Sequence, residues 1–171
     1  ATVSPDGRKM VFTSTRDGDL ELYDMDLLTR RIRRLTHQEG YDGGAFYSPD
    51  GQWIVYRAFH PTSKADLAHY QDLLSKDLVE PMRMEIFIMR ADGSEHRQIT
   101  RLGKANFAPF WLPSGKGIIF SSNFEATSAR EFELYMVKSN GDELERITFS
   151  GGFNSFPMFS PDGKKLVFSS N

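Results

Sequence analysis

The chain has 171 residues, of which 39% are hydrophobic and 26% charged, the proportions of an ordinary globular domain with room for a sizeable core. A formal net charge of −2 gives no electrostatic draw toward nucleic acid or an anionic surface, and no apolar run approaches the roughly 18 residues of a bilayer-spanning helix. Cysteine is absent, which excludes disulfides, thiolate metal sites and a cysteine nucleophile within these residues.

In chain order, a first unit over about 1–36 opens on the turn Ser4-Pro5-Asp6-Gly7. It continues through the apolar triplet Met10-Val11-Phe12 and the segment Glu21-Leu22-Tyr23, and closes on Leu35-Thr36. A second unit, about 40–100, repeats this order with Ser48-Pro49-Asp50-Gly51, Ile54-Val55-Tyr56, Glu85-Ile86-Phe87 and Ile99-Thr100. A third, about 104–148, carries the degenerate turn Leu112-Pro113-Ser114-Gly115, then Ile118-Ile119-Phe120, Glu133-Leu134-Tyr135 and Ile147-Thr148. The last stretch, 152–171, holds only Ser160-Pro161-Asp162-Gly163 and Leu166-Val167-Phe168.

Each copy has its own physical logic. Proline presets the first turn corner, aspartate bonds nearby backbone, and glycine accepts a positive φ. The triplets do not alternate apolar with polar, which is how a strand buried on both faces reads. Asp92-Gly93 and Asn140-Gly141 mark hairpins between the third and fourth strands. The turn positions stand 44, 64 and 48 residues apart (4 to 48, 48 to 112, 112 to 160). A unit of about 44 residues with one insertion of about 20 fits all three, and four strands per unit at that period make a propeller blade. The sequence therefore predicts an all-β fold, a β-propeller of four-stranded antiparallel blades. About three and a half blades are present, with one helical insertion. Since closed propellers have about 4–8 blades, these residues are expected to be a piece of a longer protein, with open blade edges prone to self-association.

The insertion occupies about 59–83, in the loop after the second triplet. Ser63 with Asp66 resembles a capping box, and Leu67, Tyr70, Leu74 and Leu78 recur at helical spacing up to Pro81. A helix of three to four turns is expected over the channel-side surface. It either packs its leucines on the second blade or serves as a lid or partner-binding element. Arg57 and His60 flank its entry, and His69 and Tyr70 lie on it.

Candidate binding residues follow from strand direction, because loops alternate between the two propeller faces. Asp42, Asn106 and Asn154 stand six residues before each turn serine or its equivalent. They begin the innermost strands and are expected to ring the channel mouth, with Tyr41, Phe107 and Phe153 beside them. Catalysis and cofactors find no footing. There is no G-x-S-x-G elbow, no glycine-rich phosphate loop after a strand, and no metal-ligand spacing among His37, His60, His69 and His96. His60 and His69 fall on the insertion side and His96 near the opposite face, so no joint histidine site is expected. The acidic run from Asp17 to Asp26 lacks an EF-hand pattern, and the basic cluster Arg30, Arg31, Arg33, Arg34 falls on an outer strand.

The series "SPDG", "VF(S)S", "ELY" or "EIF", "(A)DG" and "R.(I/L)T" resembles the WD40-like repeat of TolB-type propellers, over nearly the whole chain apart from the insertion. The resemblance implies a bacterial cell-envelope or periplasmic setting. It also implies a non-enzymatic role in binding a protein or peptide, with glycan as a second partner class. Such repeats also resemble the gating domain of prolyl-oligopeptidase-type peptidases, whose catalytic domain would lie outside these residues. A further likeness is to the propeller of oligogalacturonate lyases, whose metal-binding histidines have no counterpart here.

Overall fold

The computed structural model describes residues 1–80 and 83–171. Three antiparallel sheets of four strands follow one another along the chain, each in simple meander order. The first holds β1 (Thr2–Val3), β2 (Lys9–Ser14), β3 (Glu21–Asp26) and β4 (Ile32–Arg34). The second holds β5 (Tyr41–Tyr47), β6 (Trp53–Phe59), β7 (Glu85–Arg90) and β8 (Arg97–Gln98). The third holds β9 (Asn106–Trp111), β10 (Gly117–Ser122), β11 (Glu133–Lys138) and β12 (Glu145–Arg146), and β13 (Ser155–Phe159) pairs with β14 (Leu166–Ser169) in a two-stranded sheet.

The sheets are arranged radially. Their first strands lie side by side, with β5 in contact with β1 and β9, and β13 in contact with β9. The cores are therefore seams between sheets. Ile54, Tyr56 and Ala58 of β6 pack with Val11, Leu22 and Leu35 of the first sheet, whereas Val55 packs with Trp111, Ile118 and Phe120 of the third. A strand that feeds both seams has no solvent face, which is why its apolar triplet does not alternate.

The tight turns behave as their residues dictate. Ser4 Oγ donates to Asp6 at 2.6 Å, Ser48 to Asp50 at 2.5 Å and Ser160 to Asp162 at 2.6 Å. The same aspartates accept the backbone N–H two residues on, from Arg8, Gln52 and Lys164. The degenerate copy keeps its shape because Gly115 holds φ +69°, a conformation that only glycine adopts freely. The innermost strands β5, β9 and β13 also carry a bulge, where pairing slips around Gly44, Ala108 and Phe156, at φ +63°, +50° and +55°. A left-handed residue at that point bends the strand and re-aims the side chains around it.

The insertion forms α1 (Lys64–Leu74), about three turns. Ser63 caps it, accepting the Asp66 N–H at 3.0 Å. The helix ends earlier than the leucine spacing implied. Asp77 takes a left-handed φ of +58°, the Leu78 N–H bonds the Leu73 carbonyl at 3.0 Å, and Leu78 is exposed. This C-terminal turn, rather than a proline, stops it, and Pro81 lies outside the described residues. Ser63→Ala is expected to cost about 1 kcal/mol locally, read as roughly fivefold faster amide hydrogen exchange over 64–74 with the sheets unaffected.

Candidate functional site

At each joint between consecutive sheets, a glutamate opens the third strand and is clasped by its neighbours; Glu21 and Glu133 are buried and Glu85 half-buried. Thr148 and Arg146 donate to Glu133 from the same sheet, with Arg146 Nη2 at 3.2 Å. From the next sheet the Gly151 N–H reaches it at 2.7 Å and Asn154 Nδ2 at 2.8 Å. Glu85 repeats the arrangement with Thr100 at 2.6 Å, the Gly103 N–H at 2.7 Å and Asn106 Nδ2 at 3.1 Å. Glu21 receives Arg34 and Thr36, but the position of the asparagine is taken by Asp42. The backbone links the sheets at the same points. The Asp42, Asn106 and Asn154 N–H groups bond the Leu20, Met84 and Phe132 carbonyls at 2.8, 3.2 and 2.8 Å. Burial pushes the Glu133 carboxyl up, but the bonds from Thr148, the Gly151 N–H and Arg146 outweigh it and hold the group below its ordinary value.

Asn106 and Asn154, expected from the sequence at the channel mouth, are thus closed off from solvent, at 0% and 1% exposure. Their amides are spent inside these joints. The asparagines sit on the inner strands, but their side chains turn into the joint, where a buried glutamate needs donors. The constant separation of glutamate, threonine and asparagine in the sequence (85, 100, 106 and 133, 148, 154) was the signal for this role.

The aromatic neighbours do gather. Phe107 lies 6.2 Å from Phe153, 5.0 Å from Phe132 and 6.0 Å from Phe156, centroid to centroid. Arg57 continues the strip toward the second sheet. Its guanidinium donates to the Tyr41 hydroxyl from Nε and Nη2 at 3.1 and 2.8 Å and lies over the Tyr41 and Phe107 rings. Phe107, Phe132, Phe153 and Arg57 are half-buried and Phe156 is exposed. Among the described residues Arg57 has no carboxylate partner within ion-pair distance. Phe132 and Phe156 were not singled out by the sequence; the bulge that brings Phe156 against Phe107 leaves no compositional mark. On the insertion, Tyr70 is buried and donates to Asp19 and the Gly40 carbonyl. His69 is exposed, with Nε2 3.1 Å from Glu80.

The seam between the first two sheets opens into a cleft of about 520 Å³, with Asp42, Tyr56, His60, Phe87 and His96 among its lining. His60 and His96, expected on opposite faces, both line it. The cleft runs between two sheets from one face toward the other, so loop position does not separate the residues along it. Tyr56 reaches one of them: its hydroxyl lies 3.0 Å from His96 Nδ1, and His96 Nε2 donates to the Gly93 carbonyl at 2.9 Å. In the next seam Phe124 stands where His60 stands here, with its ring against Tyr135 as the His60 ring lies against Phe87. Among the described residues no cluster of three or more histidine, aspartate or glutamate side chains is placed to hold a metal ion, and no helix is long and apolar enough to cross a membrane.

Radial four-stranded antiparallel sheets joined through their inner strands define a β-propeller. TolB from Acinetobacter baumannii superposes with a TM-score of 0.75 at 23% identity, covering 97% of this chain and 36% of that one. The TolB beta propeller domain family matches residues 74–171, more than half of the chain. The chain belongs to that family. An uncharacterized protein of Agrobacterium fabrum is 31% identical over 119 residues, covering 70% of this chain and 34% of that protein. The peptidase YuxL of Bacillus subtilis, itself uncharacterized, is 25% identical over 143 residues, covering 72% of this chain and 22% of that protein. The chain thus spans about a third or less of the length of these relatives.

Proposed function

We propose that this propeller is a non-enzymatic binding module whose channel-side face holds a protein or peptide partner in the bacterial cell envelope. One observation carries this: the strip from Tyr41 through Arg57 and Phe107 to Phe153, where the Phe107 and Phe153 rings are partly open to solvent and the arginine has no ion-pair partner among the described residues. Aromatic residues and arginine are the side chains that anchor interfaces, since they give large contact area and directed hydrogen bonds for little entropy. The arginine favours a partner that brings a carboxylate beside an apolar side chain. Helix α1 bounds the face on one side.

The test is affinity capture from envelope extracts by the full chain and by an Arg57→Ala/Phe107→Ala double variant, with the captured protein purified and its affinity measured. A purified partner that binds the variant at least about tenfold more weakly is the expected result. No captured partner, or equal affinity for the variant, counts against the proposal.

A second reading has its own support. A relative named as a peptidase matches this chain over only 22% of its length, so the propeller also fits the substrate-gating part of a larger hydrolase. A G-x-S-x-G segment elsewhere in the full protein, with peptide hydrolysis by that protein, would decide for it.

A further inference from the structure

The first joint departs from the other two in a chemically pointed way. Where Asn106 and Asn154 donate an amide proton to Glu85 and Glu133, the joint that holds Glu21 has a carboxyl, Asp42, at the corresponding place. Two supporting donors have changed as well. Ser122, which donates to Asn106 Oδ1 at 2.6 Å, corresponds to Ala58, so that bond is lost. His60 replaces Phe124 and brings Nε2 to 3.2 Å from Asp42 Oδ1. Asp42 is completely buried, and its Oδ2 has no hydrogen-bond partner among the described residues. In the sister joints the atom at this place is a nitrogen donating to the glutamate and toward the backbone carbonyl of the preceding residue (Met84 or Phe132). An oxygen facing acceptors satisfies them only by carrying hydrogen.

We infer that Asp42 is a proton-binding site in the seam between the first two sheets, its carboxylic acid donating toward Glu21 in place of the asparagine amide. When the proton leaves for solvent by way of the cleft that Asp42 lines, two carboxylates share one joint. The charged and titratable groups around it come from every neighbouring element. Glu21 lies on β3 with Arg34 of β4 bonded to it; Tyr56 and His60 lie on and just after β6, and His37 and His96 line the same cleft from the connections after β4 and β7. Asp19 and Tyr70 of α1 sit over the connection to Gly40. Burial raises the Asp42 carboxyl above its ordinary value and Glu21 adds to this, while His60 and Thr36 oppose it. Because the folded value is the higher one, this acid's contribution to stability is full at low pH. It is lost as pH rises through the raised value. The α1 helix rests on the same run, through Tyr70 to Asp19 and the Gly40 carbonyl, so the joint and the insertion share one proton-sensitive support.

Asp42→Asn installs the sister joints' amide, so the variant is expected to fold. Thermal melting of the full chain and this variant, followed from about pH 4 to pH 8, tests the inference. The variant is expected to melt about 3 °C or more above the natural protein near the alkaline end, with the gap closing toward pH 4. A gap independent of pH, or a variant less stable throughout, overturns it. Carboxyl-carbon NMR gives a second measure free of unfolding. Asp42 is expected to titrate above the ordinary aspartate range, and His60→Phe to move its midpoint higher. Titration at or below that range, or a downward move, sinks the inference.

Discussion

Glu133→Ala is expected to lower the stability of the chain by about 3–4 kcal/mol, the scale of breaking a buried charge cluster on one side only. The measurement is a denaturant midpoint that falls at unchanged slope. Glu133 is the shared acceptor for Thr148, Arg146, the Gly151 N–H and Asn154, so one truncation strands donors from two sheets in a closed joint. The pH dependence has the opposite sign to that of Asp42. The Glu133 carboxyl sits below its ordinary value of 4.5, so its contribution is complete above that value. It disappears as pH falls through the lowered one. Glu133→Gln should lose part of the same energy and flatten the acid limb.

Phe120→Ala is expected to cost about 3–5 kcal/mol, seen in the same midpoint measurement. Phe120 is completely buried in the seam between the second and third sheets and stacks on Tyr135 at 6.1 Å. Little in that seam can collapse into the space. Ile86 and Ile88 are fixed by β7 on one side and Ile118 by β10 on the other. A cost near 1 kcal/mol would mean that the sheets slide together after truncation, and that the seam is softer than its burial implies.

The features that depend on neighbouring residues were legible in the sequence. The Ser-Pro-Asp-Gly turns, the doubly buried triplets of the second and third sheets and the Ser63 cap each follow from a few residues whose chemistry is local, whereas the triplet Leu166-Val167-Phe168, on the two-stranded sheet, is largely exposed. The candidate site was legible only in part. Counting strands placed Asp42, Asn106 and Asn154 correctly at the starts of innermost strands, but a bulge at Gly44, Ala108 or Phe156 breaks the alternation that tells which way a side chain turns. His60 and His96 were separated by loop position although one cleft takes in both. The helix stop at Asp77 was missed because a left-handed aspartate turn carries a weaker signal than glycine or proline.

The middle ladder of each sheet has six paired positions: Lys9 to Ser14 with Asp26 to Glu21, Trp53 to Ala58 with Arg90 to Glu85, and Gly117 to Ser122 with Lys138 to Glu133. The stretches of chain between the paired strands run over 15–20, 60–84 and 123–132, and the pairing is the same in all three. What emerges from the top of the ladder is thus mechanically uncoupled from the ladder itself. The scaffold acts as a socket: a segment as long as the helical one is accommodated without a change in strand register. A lineage built on this repeat can exchange such cassettes, altering what the face presents while inheriting the sheets unchanged.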